Sequence, residues 1–230
     1  MLKISNIKKS FADHIILHRV SFEAPNSCLT ILEGQNGAGK STLFNILTGN
    51  LMPDAGEIFL DQQNITHDSA HERAHNIAIL KQDPKASSWA HLSVLENCAL
   101  ALLKNKKAGL RYALNAQTQE YIKKHIDSLE LNYDNLWHKQ VGMLSGGQRQ
   151  VLAFAMATMY KPNLLLLDEP SAALDDKSSN LLMRLIKKLI TNWNIPAVMI
   201  SHDYALNKNY GDKIIELKDG HIISRAHADA

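Results

Sequence analysis

The most explicit chemistry in this chain lies at positions 34–42, where Gly34, Gln35, Asn36, Gly37, Ala38, Gly39, Lys40, Ser41 and Thr42 fit the pattern G-x-x-x-x-G-K-[ST] at every fixed position. Three glycines let the backbone curl around an anion with its N–H groups pointing inward, and a helix beginning at the end of the loop adds the positive end of its dipole. Lys40 is then placed to reach the outer phosphates of a nucleotide, and the Ser41 hydroxyl to be an oxygen ligand of the accompanying Mg²⁺. The flanks fit this reading. Cys28-Leu29-Thr30-Ile31-Leu32 is a short apolar run with β-branched members, which predicts a buried strand, and Leu43-Phe44-Asn45-Ile46-Leu47 continues at helical spacing.

Two further groups carry chemistry. The run Leu164-Leu165-Leu166-Leu167 is apolar on both faces, which predicts a strand in the middle of a parallel sheet, and it ends in Asp168, Glu169 and Pro170. Acids at the carboxyl end of such a strand emerge where open α/β folds place ligands. Asp168 is placed to orient the Mg²⁺ shell, and Glu169 to accept a proton from an attacking water; caps for the next helix are the alternative role. A second buried strand, Ala197-Val198-Met199-Ile200, ends at Ser201-His202-Asp203 and brings one imidazole to the same sheet edge. Leu144-Ser145-Gly146-Gly147-Gln148 is a second glycine-rich loop, expected to feed a helix over 149–160 and so to form another anion-binding turn.

The elements that must position these groups follow from periodicity. Residues 2–5 and 20–24 alternate apolar and polar, as in antiparallel strands with one wet face, and the turn-like stretch 10–13 between them holds Phe11, either a core residue or a functional one. A turn at 53–56 precedes a strand at 57–61. A helix is expected over 64–75, with His67, His71 and His75 four residues apart; that spacing suits a metal site or a solvated helix face. The strand 77–80 delivers Gln82 into a polar loop, and Ser93 with Glu96 forms a capping box. From 92 to 160 the pattern is helical throughout, including 117–129 with Tyr121, Ile122, Ile126 and Leu129 on one face. Within it, residues 104–112 form the strongest basic cluster, a solvated loop or a contact for anionic lipid or an acidic partner. A long amphipathic helix at 176–192 and a strand, D-G turn and strand over 213–224 complete the chain.

Composition sets the outer bounds. With 230 residues, 25 Lys plus Arg against 23 Asp plus Glu, and a net charge of +2, the chain has room for a large core and lacks the basic excess of a nucleic-acid binder. Two cysteines, Cys28 and Cys98, predict reduced, packed thiols in a cytosolic setting. The sequence contains no signal-peptide pattern and no apolar run long enough to span a bilayer, so a role at a membrane requires a partner.

The ordered set GQNGAGKST, LSGGQ and LLLLDEP makes the chain resemble the ATP-binding cassette (ABC) ATPases, for which LSGGQ is the signature. The resemblance covers essentially the whole sequence and places Gln82 at the Q-loop, 171–175 at the D-loop and His202 at the switch histidine. It implies an α/β P-loop NTPase fold: a parallel-sheet core, an N-terminal antiparallel β subdomain and an inserted helical subdomain, with the core at about 1–85 and 160–230 and the helical part at about 86–159.

It also implies a homodimer of head-to-tail cassettes. ATP then sits between the P-loop of one copy (Gly34, Asn36, Gly37, Ala38, Gly39, Lys40, Ser41, Thr42) and Ser145, Gly146, Gly147 and Gln148 of the other, with Asp175 in the D-loop beside them. Ser145 and Gly147 would touch the γ-phosphate, Glu169 would be the catalytic base, Asp168 and Gln82 would serve Mg²⁺ and water, and His202 would hold the γ-phosphate. Phe11 lies where the family has an aromatic on adenine, often Tyr; Phe keeps the stacking face without the hydroxyl. GLRY and the stretch from VGMLSGGQ to SAALD look like ATPase subunits of bacterial importers for tryptophan, tyrosine or related solutes, although Pro170 follows the general family rather than that group. The implied partners are an integral membrane permease and a separate solute-binding protein, the implied place is the cytoplasmic face of the membrane, and the alternative function is a soluble single-cassette assembly factor.

Overall fold

In the computed structural model, residues 1–103, 114–131, 133 and 135–224 are described. The basic cluster at 104–112 lies outside them. The chain packs as two compact units: Met1–Ile79 with Pro162–Glu169 and the chain from Ile186 onward, and Leu80–Lys161 with Pro170–Leu185. The resemblance assigns 170–185 to the core, whereas here that stretch groups with the second unit.

The first unit opens with an antiparallel hairpin, β1 (Leu2–Phe11) and β2 (His14–Ala24), in the relation the alternation predicts. After β3 (Leu29–Glu33) comes the helix α1 (Lys40–Leu47), and then β4 (Ala55–Leu60) and the two-residue β5 (Gln63–Asn64). These strands form a four-stranded sheet in the order β2-β1-β4-β5, without β3. A short helix α2 (Ala70–Arg73) leads to β6 (Ile77–Leu80).

The second unit is helical: α3 (Val94–Ala101), α4 (Ala116–Ser128) and α5 (Gly146–Ala157). Ser93 and Glu96 make the expected capping box at the head of α3. Ile122 and Ile126 of α4 are fully buried, while Tyr121 stays half exposed and donates its hydroxyl proton to Met159 O at 2.7 Å. Burial pushes the Cys98 thiol in α3 up to about 12, which keeps it protonated and inert.

The chain then returns through β7 (Leu164–Asp168), α6 (Asp176–Trp193), β8 (Ala197–Ile200), α7 (Tyr204–Tyr210), β9 (Lys213–Lys218) and β10 (His221–Ser224). The second sheet has the order β10-β9-β3-β8-β7-β6, with β3 parallel to β8 and β9, β7 parallel to β8, and an antiparallel β9–β10 hairpin turning at Asp219-Gly220. All four leucines of β7 are fully buried, and each side chain removed from water in this way contributes about 1.5–3 kcal/mol. One core joins the two sheets of this unit, with Leu2, Ile4 and Phe22 packed among Leu43, Ile46, Leu166 and Val198.

The helix expected over 64–75 is not formed. Ile65 N donates to Ile58 O and Ile58 N donates to Thr66 Oγ1, so this stretch continues the pairing with β4. Only after Ser69, capped reciprocally by Glu72, does the chain coil, for four residues. His67 therefore precedes the helix, and His71 and His75 meet edge to face with centroids 5.5 Å apart. Among the described residues no group of three or more His, Cys, Asp or Glu side chains is placed to hold a metal ion.

Arg73 ends this segment inside the core, 2% exposed. Its guanidinium donates to Ile46 O and Leu47 O at the end of α1, to Thr66 O at 2.8 Å and to Asp68 O at 3.0 Å. Helix ends leave carbonyls without intrahelical partners, and here a buried cation satisfies them. Arg73→Ala removes the guanidinium donors of Leu47 O, Thr66 O and Asp68 O, while Ile46 O keeps Gly49 N, and is expected to destabilise the protein by about 3 kcal/mol or more, a fall in Tm of roughly 6–12 °C for a domain of this size. Thermal unfolding followed by circular dichroism measures this, and an unchanged Tm would show that the carbonyls find other donors.

Candidate functional site

The loop at 34–39 leaves β3 and enters α1 through Gly39, whose φ of +102° lies in the left-handed region. A Cβ at Gly39 would also come within 2.8 Å of Leu17 Cδ2, so both conformation and space select glycine there. Lys40 is buried, with Nζ donating to Gly34 O at 2.6 Å and to Gln35 O at 3.0 Å across the loop. Burial pulls its pKa below the usual lysine range, and Glu169 and Asp168 pull the other way by favouring the charged form.

A cavity of about 270 Å³ opens at this loop. Its wall brings together Asn36, Gly37, Gly39, Lys40, Ser41 and Thr42 from the P-loop, Asp168 and Glu169 from the end of β7, and His202 after β8. Glu169 has a φ of +44°, unusual for a non-glycine residue, and its N–H donates to Ile200 O at 3.0 Å. Its carboxylate Oε1 lies 3.3 Å from His202 Nε2. The imidazole is presented by a braced loop: Asp203 N donates to Ser201 Oγ, Asp203 caps α7 through Leu206 N, and Asn207 of α7 donates to Glu33 Oε1 at the end of β3.

The wall also contains Ile16 and Ile200, which the sequence reading did not select. Nothing in the pattern of β2 marks Ile16, a half-buried residue in a strand of alternating exposure. Phe11, the residue expected to stack on adenine, ends β1 with 49% of its surface exposed and Lys9 Nζ 5.7 Å from its ring centroid; it is neither a core residue nor part of the cavity wall. Gly34 and Ala38 shape the loop without lining the cavity.

The second unit holds the other predicted turn. Its helix α5 starts at Gly146, three residues earlier than expected, because Ser145 is its N-cap. Gln148 N donates to Ser145 Oγ and Ser145 N donates to Gln148 Oε1 at 3.0 Å, a capping box that draws both glycines into the first turn. Tyr133, which sequence reasoning missed, donates its hydroxyl proton to Gln148 O at 2.8 Å, and Arg149 spans back to Gly142 O and Leu144 O. A Cβ at Gly147 would meet Ser178 Oγ at 2.4 Å, so the turn packs directly on the start of α6. Asp175 caps that start by accepting from Ser178 N and Ser178 Oγ, and these hydrogen bonds hold its carboxyl below the usual range. Gln82 follows β6 in the same unit.

Chemically, the cavity in the first unit combines a cradle of N–H groups and a lysine for phosphate, hard oxygen donors for a divalent cation, and a carboxylate with an imidazole partner for proton transfer.

Comparison with known proteins places this geometry. The model of the ABC transporter family matches residues 17–172. A tyrosine transport ATP-binding protein of Clostridioides difficile is 34% identical over 228 residues, covering 97% of this chain and 90% of the relative. A sulfate/thiosulfate import ATP-binding protein of Synechocystis is 32% identical over 219 residues; the chain spans 58% of that longer relative. A dimeric ATP-binding cassette solved in a post-hydrolysis state with ADP and phosphate superposes with a TM-score of 0.81 at 27% identity, covering 100% of both chains.

Lys40→Ala is expected to weaken ATP binding roughly 100-fold, on the order of the 3 kcal/mol that charge-assisted hydrogen bonds contribute, while Tm stays within a few degrees. A fluorescent-nucleotide titration measures this, and an unchanged Kd would remove Lys40 from the phosphate site.

Proposed function

Because the chain belongs to the ABC transporter family, we propose that it is the ATP-hydrolysing cassette of an importer, driving a separate membrane permease that carries an amino acid or similar small solute. The family assignment makes it an ATP-binding subunit whose hydrolysis of ATP is coupled to transport. The proposal adds direction, solute class and the roles of individual residues. Similarity over nearly the full length to a tyrosine transport protein supports the solute class, and similarity to an import protein supports the direction over a role in assembly.

The observation that carries the mechanism is the convergence of the P-loop, Asp168, Glu169 and His202 on one cavity. In the proposed reaction the P-loop N–H groups and Lys40 hold the β- and γ-phosphates. Glu169 accepts the proton of the water that attacks the γ-phosphorus, and the attacking and leaving oxygens lie roughly in line. His202, within 3.3 Å of the Glu169 carboxylate, orients it and holds the γ-phosphate. Ser41 and Asp168 line the same cavity and carry hard oxygen donors, a set that fits Mg²⁺; Gln82 is a further proposed ligand on the family resemblance alone. Mg²⁺, when bound, neutralises phosphate charge as it develops. Phe11, exposed at the turn end of the β1–β2 hairpin, supplies an aromatic face for adenine.

The signature turn completes the site in trans. Ser145, Gly146, Gly147 and Gln148 form a capped helix start in a unit of their own, and in a homodimer this turn would face the nucleotide held by the partner copy, with Asp175 beside it. The dimeric state of the superposed cassette supports that arrangement. Among the described residues no helix is long and apolar enough to cross a membrane, so attachment at the cytoplasmic face would run through the permease, with a separate solute-binding protein delivering the cargo.

Glu169→Gln keeps the shape and the phosphate contacts while removing the base. It is expected to bind Mg-ATP with near wild-type affinity and to lower kcat by about 10²–10⁴. A phosphate-release assay with nucleotide titration measures both; a variant that turns over normally would exclude Glu169 as the base. Wild-type specific activity should also rise with protein concentration through the monomer–dimer range, and activity strictly proportional to concentration there would exclude the shared site.

A further inference from the structure

Gln150 lies in α5, five residues beyond Ser145, in a stretch otherwise made of buried apolar side chains. It is 1% exposed. Its Nε2 donates to the main-chain carbonyl of Lys81 at 3.0 Å, 69 residues earlier in the chain, and Lys81 is the residue immediately before Gln82. Its Oε1 is buried and accepts no hydrogen bond among the described residues.

That half-satisfied amide is a poor choice for stability. A buried acceptor left without a donor costs about 1–3 kcal/mol, whereas a methionine of similar length would fill the same space with no polar atom to satisfy. Positions where a sequence breaks a local rule without a compensating gain in packing are concentrated at functional elements. The one bond the amide does make has a specific address: it fixes the backbone at the entrance to Gln82 against the helix whose first turn is the signature. That helix start is rigid, held by the Ser145–Gln148 capping box, by Tyr133 on Gln148 O and by Arg149 on Gly142 O. Five residues at 1.5 Å per residue separate Ser145 from Gln150 by about 7.5 Å along the helix, short enough to act as one stiff piece.

We propose that Gln150 is a positioning residue for hydrolysis: through its bond to Lys81 O it sets the place of Gln82 relative to the signature turn of the same unit. A residue serving one nucleotide is thereby tied mechanically to a turn serving the other. The inference rests on the ATPase reading of the site, and Gln150 itself touches neither nucleotide.

The test uses the full chain with two substitutions, Gln150→Met and Gln150→Glu, and measures Mg-ATP turnover from pH 6 to 8.5, nucleotide affinity and Tm. Gln150→Met is expected to keep its Tm and to bind ATP within about twofold of wild type, while kcat falls about tenfold at every pH, as for the loss of one well-placed hydrogen bond. In Gln150→Glu the protonated acid has an O–H that donates to Lys81 O, and the carboxylate repels that oxygen. Its kcat, divided by that of wild type at the same pH, is therefore expected to rise as pH falls, while the ratio for Gln150→Met stays flat.

Full kcat in Gln150→Met, or a ratio for Gln150→Glu that does not depend on pH, overturns the proposal. So does a loss of kcat matched by equal losses of Tm and affinity, which would mark a packing defect. A wild-type chain that binds ATP and never hydrolyses it would overturn the ATPase reading itself, an outcome distinct from active wild type with an unaffected Gln150→Met.

Discussion

The site depends first on strand register. Leu32 of β3 and Asp168 of β7 both pair with Ile200 of β8, so three parallel strands end level with one another. Beyond that line the chain continues as the P-loop from β3, as Glu169 from β7 and as His202 from β8. No side chain has to search for its partner, because parallel hydrogen bonding between buried apolar strands has already placed all three exits within one cavity. A one-residue slip of β7 would turn its acids to the opposite face, and it would draw Asp168 or Asn163 into the stretch that Leu164, Leu165, Leu166 and Leu167 fill with apolar side chains, which opposes such a slip. Hydrophobic packing is thus the force that sets the geometry of the cavity.

Glu169 adds a local constraint to that global one. A left-handed backbone at a residue with a β-carbon costs on the order of 1–2 kcal/mol, and the following Pro170 already disfavours the right-handed helical alternative. The bond from Glu169 N to Ile200 O holds the conformation, which turns the carboxylate toward His202 instead of letting the chain run on as strand. Strain of this kind persists only where surrounding structure over-determines it, and the buried sheet provides that support.

What the sequence disclosed follows the same division between strong and weak signals. The strands 29–33, 164–168 and 197–200 and the P-loop were legible because apolar runs and fixed glycines admit few other structures. The stretch at 64–75 misled because its polar residues suit a helix, while hydrogen bonds from Ile65 N to Ile58 O and from Ile58 N to Thr66 Oγ1 extend the pairing with β4, a non-local contact that no local pattern reveals. The start of α5 was misplaced for a different reason. The two glycines make residues 144–148 look like a loop ahead of the helix, whereas Ser145 and Gln148 form a capping box that draws both into its first turn. Ile16, Tyr133 and Gln150 left almost no trace, since each acts through a partner distant in sequence; only the polar amide of Gln150 within an apolar helical stretch was a visible anomaly.

On the proposed reading, the signature turn is why one chain would need a second. Gln148 spends its side-chain acceptor on Ser145 N, and Ser145 Oγ accepts from Gln148 N, which leaves the Ser145 hydroxyl proton to be donated outward beside the positive end of α5. On the proposed reading that turn offers an anion contact without a base, whereas the cavity in the first unit would supply the base and the phosphate cradle. On the proposed dimer each nucleotide joins one of each kind, so its γ-phosphate is the feature that distinguishes the closed state from the open one. A ligand shifts an equilibrium only by its differential affinity for the two states. On the proposed dimer ATP would meet that condition through contacts on both sides of its terminal phosphate, and ADP, lacking that phosphate, would not. Hydrolysis would then remove the very group that holds the copies together, which is how cleaving one bond inside a small cavity becomes motion at the scale of the whole assembly.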